Sequence, residues 1–194
     1  MSLKEQVYSV LIVSAAEKFN SAVPEIFSVP LFSPVNTVNN VSAAKRALTE
    51  RSFDIVIINS PLPDDYGLRF AIDTVNTYNT VVLFLARGEQ YEDAYDKLAE
   101  HGVFLLQKPT SRTMLDIVSA WLISARERIR KTEKKTLSIE EKMEEIRIVN
   151  RAKWLLIGEL KMTEPDAHRY IEKQAMDRCI PRSRVAQEII NTYK

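Results

Sequence analysis

The stretch Phe53-Asp54-Ile55-Val56-Ile57-Ile58-Asn59-Ser60-Pro61-Leu62-Pro63-Asp64-Asp65-Tyr66-Gly67-Leu68 sets four consecutive β-branched apolar residues before a polar turn rich in proline and acid. A strand that is apolar throughout is expected where helices cover both faces of a sheet. Outward from it, residues 7–13 form a compact β-rich run, 81–85 is another nearly continuous apolar one, 104–106 is a short fourth, and 30–32 marks a weaker one. Residues 41–51, 68–78 and 91–101 lie between them with helical polarity. This alternation predicts an α/β fold, a doubly wound and mostly parallel sheet. In such sheets the functional edge lies at the carboxyl ends of the strands, where Asn59 falls.

Composition sets the outer limits. The chain has 194 residues, 45% of them hydrophobic and 27% charged, which excludes wholesale disorder and low-complexity classes. That length holds one medium domain or two small ones and buries a core without disulfides. Cys179 is the single cysteine, so an intramolecular bridge and a cysteine-rich metal site are both excluded. No apolar run approaches the roughly 18 residues of a membrane helix, and residues 1–9, MSLKEQVYS, lack a leader's apolar stretch. The expectation is a cytoplasmic protein. The net charge of +1 conceals an asymmetry: residues 1–110 hold 9 basic and 13 acidic side chains, residues 111–194 hold 18 and 13. A basic second half fits a polyanionic partner, and fits a merely solvated helical surface equally well.

The 53–68 stretch resembles the third strand and following loop of response-regulator receiver domains, and Lys108-Pro109 resembles their Lys-Pro end. The resemblance implies a flavodoxin-like domain over residues 1–112. It also implies a phosphoacceptor aspartate at the Asn59 position, a magnesium-holding acidic pair at Ser14 and Ala15, and a phosphate-reading hydroxyl at Leu85. The sequence departs from the pattern at each point and keeps only Lys108. A carboxamide does not form an acyl phosphate, and magnesium loses its hard oxygen ligands. Glu17 is the acidic residue that can still lie near this degenerate pocket. The expectation is a receiver-like fold without phosphotransfer. Its input is then a regulatory partner protein, a small ligand, or a fixed role as a dimer platform.

After Thr113 one register continues: Leu115, Val118, Leu122, Ala125, Ile129, Thr132, Thr136, Ile139, Met143, Ile146 and Asn150 follow spacings of three and four. Such spacing predicts a coiled-coil linker over 113–149, most simply a homodimer seam, with Asn150 setting register. The same stripe also fits packing inside one subunit. Ser138 and Glu141 read as a capping box that would begin a new helix there.

Residues 150–194 read as a helix to about Leu160, a break at Lys161-Met162, and a second helix capped by Thr163 with Pro165 in its first turn. Pro181 then precedes an amphipathic last helix. Ala152-Lys153-x-Leu-Leu, Thr163-Glu164-x-Asp-Ala-x-Arg-Tyr-Ile, Gln174-Ala-Met-Asp and Val185-Ala-x-x-Ile together resemble the ANTAR domain, an RNA-binding antitermination module. Trp154 stands where the family usually has glycine. The resemblance implies a dimer that binds tandem hairpins in a nascent leader mRNA and favours the antiterminator.

For RNA contact the candidates are Arg151, Lys153, Arg169, Lys173, Arg178, Arg182 and Arg184 on phosphates, Tyr170 by stacking or by packing, and Gln174 at a base edge. Tyr170 lies on the apolar stripe and is read first as a packing residue; Trp154 and Met176 are read as core or interface. His168 has no ligand cluster around it and Cys179 no base, so neither is read as chemical. No metal or cofactor is expected. Enzyme classes fail for want of a phosphate-binding glycine loop or an assembled nucleophile. Two other classes stay open: a DNA-binding regulator with a helix-turn-helix-like end, and a dimeric adaptor that binds no nucleic acid.

Overall fold

The computed structural model describes residues 6–27 and 30–193; residues 1–5, part of the segment read above for a leader, lie outside the described residues. Five strands, β1 (Tyr8–Val13), β2 (Phe32–Val38), β3 (Ile55–Asn59), β4 (Val81–Arg87) and β5 (Phe104–Lys108), form one sheet in the order β2-β1-β3-β4-β5. Every pairing is parallel. Helices α1 (Glu17–Ile26), α2 (Val41–Glu50), α3 (Leu68–Thr77) and α4 (Tyr91–Leu98) connect them. The fold is the α/β receiver-like one expected. The weak run at 30–32 becomes a seven-residue edge strand, where Pro34 costs no ladder bond on a central strand. Helix α1 has no counterpart in the pattern reading; its N-cap, Ala16, makes no side-chain cap.

Alternate residues of the apolar runs serve opposite faces. Leu11, Val13, Val56, Ile58, Val82 and Phe84 pack with α2, α3 and α4. Val10, Ile12, Ile55, Ile57, Leu83 and Leu85 pack on the other face with α1 and the next helix. Each such burial contributes roughly 1.5–3 kcal/mol, and in β3 the first polar residue is Asn59 at its end. Gly67 opens α3 at φ +84, and a Cβ there would stand 3.0 Å from Ile58. The positive φ favours glycine, and the tight approach to Ile58 adds to that preference.

The next helix, α5 (Arg112–Leu160), runs unbroken for 49 residues, so Ser138 and Glu141 begin no new helix. Its first part corrects the coiled-coil expectation. Leu115, Val118 and Leu122 are 7%, 4% and 0% exposed within the sheet's own core, and Ala125 and Ile129 pack against that core. Spacings of three and four mark any buried helix face and do not distinguish a sheet from a second chain. Two compact units result, dividing between Arg130 and Lys131 and not at 112 and 150.

An ion cluster fastens α5 to the first unit. Asp54, just before β3, accepts from Arg126 Nε at 2.8 Å, Arg130 at 3.0 Å, and the Ser9 amide and hydroxyl at 2.9 and 3.0 Å. Arg130 also reaches Glu127 at 2.8 Å, and Glu127 accepts the Tyr8 hydroxyl at 3.0 Å. Burial opposes ionisation of Asp54, but the Ser9 amide and Arg126 outweigh it and hold its carboxyl below the ordinary range. Burial, with Glu127 adjacent, pushes the Tyr8 phenol up to about 12.

In the second unit the end of α5 joins α6 (Glu164–Asp177) and α7 (Arg182–Thr192) around Ala152, Leu156, Ala167, Ile171, Val185, Ala186 and Ile190. Thr163 caps α6 by accepting from the Asp166 amide, with proline in the first turn as read. Cys179 closes α6 at φ 51, and the Ile180 amide reaches back to the Ala175 carbonyl at 3.0 Å. This left-handed closure is one that glycine usually makes.

Candidate functional site

At the carboxyl edge of the sheet, Asn59 ends β3 and is 4% exposed. Its amide nitrogen donates to the Ser14 hydroxyl at 2.9 Å, and its oxygen accepts from Lys108 Nζ at 2.7 Å. Lys108 also donates to the Ser60 carbonyl. Burial, and then the charge of Arg87, push the Lys108 ammonium below its usual range. The structure thus joins Ser14, Asn59 and Lys108 into one chain of hydrogen bonds. Ala15 is exposed beside them, and Leu85 lies fully buried in the apolar core where a hydroxyl would read a phosphate.

The acids nearby in sequence serve elsewhere. Glu17 is exposed in the first turn of α1. Asp64 accepts from the Val41 and Ser42 amides at 2.9 and 3.0 Å, so it caps α2. Those amide bonds, the Val41 one first, hold its carboxyl below the ordinary range. Among the described residues, no three His, Cys, Asp or Glu side chains come together to hold a metal ion. A carboxamide satisfied on both sides, beside a lysine and without a carboxylate pair, offers neither a nucleophile nor a magnesium site.

In the second unit the candidate RNA residues spread over all three helices: Arg151 and Lys153 on α5, Arg169, Tyr170, Lys173 and Gln174 along α6, and Arg178, Arg182 and Arg184 at the turn into α7 and in its first turn. Lys153 meets Glu164 at 2.7 Å, which lowers the Glu164 carboxyl, and Arg169 meets Asp166 at 3.2 Å. Around the turn at Pro181, Arg178 grips Glu188 with two bonds of 2.6 and 3.0 Å. That pairing raises the guanidinium and lowers the carboxyl. Arg182 lies 3.4 Å from Glu172 and 3.8 Å from Glu145. Arg151, Lys173 and Arg184 are exposed and form no ion pair among the described residues.

Tyr170 sits differently from its first reading as a packing residue, and of the two readings given for Trp154 and Met176, core or interface, exposure removes the first. Tyr170 is 41% exposed and not packed into the core; Trp154 and Met176, at 73% and 77%, are not core residues either. On α6 the buried stripe is Ala167, Ile171 and Ala175, which rotates Tyr170 to its flank. Gln174 is half-buried. Sequence reasoning also missed a groove of about 390 Å³ that includes Ile146, Val149, Asn150, Lys153, His168 and Arg182. On the exposed part of α5, Ile139, Met143 and Ile146 are 48%, 51% and 59% exposed.

Comparison with known proteins agrees with this division. The ANTAR domain family matches residues 138–190, a start twelve residues earlier than the boundary expected. The transcriptional regulatory protein PdtaR of Mycobacterium tuberculosis is 29% identical over 140 residues, covering 72% of this chain and 68% of that protein. The aliphatic amidase regulator of Pseudomonas aeruginosa is 33% identical over 90 residues, 46% of this chain and 45% of its own. Among solved structures, the signal receiver domain of an HD domain-containing protein from Pseudomonas fluorescens superposes with a TM-score of 0.58 at 19% identity, covering 65% of this chain and 93% of that one. The receiver domain of a Bacteroides fragilis response regulator gives 0.54 at 18% identity, covering 62% and 98%. These last two likenesses establish the receiver fold.

Proposed function

We infer, from a chain that is an ANTAR protein with a receiver-fold domain, that it is a transcription antitermination regulator acting as a dimer on tandem hairpins of a nascent leader mRNA. The observation that carries this reading is the ANTAR match over residues 138–190. The exposed Trp154 and Tyr170, with basic side chains at both ends of α6, support it chemically. RNA loops present unstacked bases, which proteins hold by aromatic stacking and edge hydrogen bonds. Trp154 and Tyr170 offer the stacking surface; Asn150 and Gln174 offer carboxamides. Lys153, Arg169, Arg178 and Arg182 exchange their carboxylate partners for phosphates. Arg151, Lys173 and Arg184 meet phosphates directly.

Dimerisation in this reading uses Ile139, Met143 and Ile146, which repeat at spacings of four and three while exposed. Leu115, Val118, Leu122 and Ile129 take no part. The receiver-fold domain works without phosphorylation, under the control of a partner protein or a ligand, and the chain acts by binding and not by catalysis. No helix among the described residues is long and apolar enough to cross a membrane, in keeping with work on cytoplasmic transcripts.

The test is titration of the protein into a tandem-hairpin leader RNA beside a single hairpin and a duplex DNA of equal charge. Clear preference for the tandem RNA is expected. Equal or tighter duplex binding would make the chain a DNA regulator, and no nucleic-acid binding at low salt an adaptor.

A further inference from the structure

The first unit holds a cavity of about 270 Å³ that the Asn59 pocket does not use. Its lining includes Phe84 and Ala86 of β4, Ala94 of α4, and Leu68 and Tyr66 from the start of α3 and the loop before it. Ala86 and Ala94 are 1% and 2% exposed, so the space exists because two lining positions carry only a methyl group. Gln90, Asp93 and Lys97 complete the lining along one side of α4. Asp93 and Lys97 pair at 2.7 Å, one turn apart, with more than half of each side chain exposed.

Ser60 lines the same cavity. It is 2% exposed, its hydroxyl donates to the Tyr66 carbonyl at 2.8 Å, and its own carbonyl accepts from Lys108. The cavity and the Asn59–Lys108 pair therefore share one residue. Whatever displaces Tyr66 pulls on the backbone that holds Lys108.

We propose that this cavity binds an apolar α-amino acid as its zwitterion, and that this ligand is the input that stands in for phosphorylation. Size limits the class: the volume lies just under the 300–1,000 Å³ of drug-sized sites, too small for a nucleotide. Phe84, Leu68 and the two alanines suit an apolar side chain. The charged pair selects the head group. A lone cation or anion meets one of these side chains and opposes the other, whereas a zwitterion sets ammonium against Asp93 and carboxylate against Lys97. Gln90 offers both a donor and an acceptor to the same head group. This site is independent of the RNA reading and stands if that reading fails.

The experiment is an NMR titration of the full chain with phenylalanine and with leucine, followed at the amides of Tyr66, Ala94 and Lys97. Phenethylamine and 3-phenylpropionate serve as singly charged comparators, and the series is repeated in Lys97→Ala and Asp93→Ala. Both substitutions are on the exposed side of α4, and an unchanged Tm confirms that they leave the fold intact. Saturable shifts by at least one amino acid are expected, with affinity about tenfold weaker for either comparator and about tenfold weaker in either variant. An accompanying shift at Lys108 is expected through Ser60. No saturable shift by either amino acid, equal affinity for the comparators, or indifference to both substitutions overturns the assignment. Binding without a shift at Lys108 overturns its role as the input.

Discussion

The Lys108 ammonium donates to the Asn59 carboxamide oxygen at 2.7 Å, and the other end of that carboxamide donates to Ser14 at 2.9 Å. Where the resemblance implies an aspartate between a lysine and a metal-holding acid pair, this chain places a neutral group satisfied on both sides. The lysine keeps a partner although that partner carries no charge. Without the Asn59 oxygen, the half-buried ammonium would keep only the Ser60 carbonyl as acceptor, a costly arrangement.

Incubation with acetyl phosphate and magnesium is therefore expected to leave the protein unlabelled, and Asn59→Asp alone is expected to stay unlabelled because Ser14 and Ala15 supply no carboxylate. Label on the wild type that vanishes in Asn59→Ala, read by intact-mass spectrometry, would sink this reading. Lys108→Met leaves the buried Asn59 oxygen without its donor and is expected to cost about 1–3 kcal/mol in denaturant unfolding.

Asp54 is the acceptor for two guanidiniums whose side chains are only 12% and 18% exposed. Asp54→Ala removes the acceptor that both guanidiniums share, although Arg130 keeps Glu127 at 2.8 Å, and is expected to destabilise the first unit by about 1–3 kcal/mol. Its folded pKa lies below the unfolded value near 3.9. The stabilisation is thus present above that value and lost as pH falls through the folded one. Unfolding followed at pH 7 and near pH 3 is expected to show the wild type losing more stability than Asp54→Ala. Parallel losses would remove Asp54 from the account. At the alkaline end Tyr8 gives the opposite sign: its phenol is held up near 12 in the fold, so its contribution is full below about pH 10 and lost as pH rises through 12.

How much of this was legible follows from where each signal resides. The runs at 55–58 and 81–85 declared a two-face-covered sheet because every position is buried. Strand β2 was half hidden because exposed Ser33, Asn36 and Thr37 interrupt its apolar residues, as on an edge. The α5 stripe was visible, but its partner was not: Leu122 and Ile146 repeat in one register, and only packing shows the first fully buried and the second exposed. The Asp54 cluster had no local signature, since Arg126 and Arg130 lie 72 and 76 residues away. Tyr170 was misplaced by hydrophobicity, which records a ring's apolar area but not the face of the helix that carries it.

Ile146 is 59% exposed and lies outside the second unit's buried core. Ile146→Glu is expected to leave helicity and Tm of that unit near wild type while shifting the sedimentation coefficient to that of a monomer. Leu122→Glu should unfold the first unit instead. A dimer that survives Ile146→Glu together with Met143→Glu would place the seam elsewhere.

Cys179 adopts φ 51 at the end of α6, where a Cβ crowds the following carbonyl. Its side chain is exposed and makes one weak contact, to the Met176 carbonyl, so little is lost by removing it. Cys179→Gly is expected to stabilise the second unit by about 1 kcal/mol, partly offset by glycine's greater freedom in the unfolded chain. A destabilisation in calorimetry would mean that the sulfur's contact with the Met176 carbonyl at 3.7 Å matters more than the backbone.

Arg182 and Arg184 flank the start of α7 in different states: the first is engaged by Glu172 and Glu145, the second forms no ion pair among the described residues. If both meet phosphates, each substitution to alanine flattens the slope of log affinity against log salt by about 0.7. Their intrinsic effects are expected to differ. Arg184→Ala removes a cation already available to RNA. Arg182→Ala removes one that must first leave its carboxylates, and frees Glu172 and Glu145 to repel the phosphates. Arg182→Ala is therefore expected to weaken tandem-hairpin binding more than Arg184→Ala at low salt. The difference should shrink as salt screens the freed carboxylates. Glu172→Gln in the wild-type background is expected to tighten binding, because Arg182 then enters with one competitor fewer. Unchanged hairpin affinity in the Arg182→Ala, Arg184→Ala double variant, with fold and dimer intact, would remove the start of α7 from the interface and leave Lys153 on α5 and Arg169 on α6 to carry it.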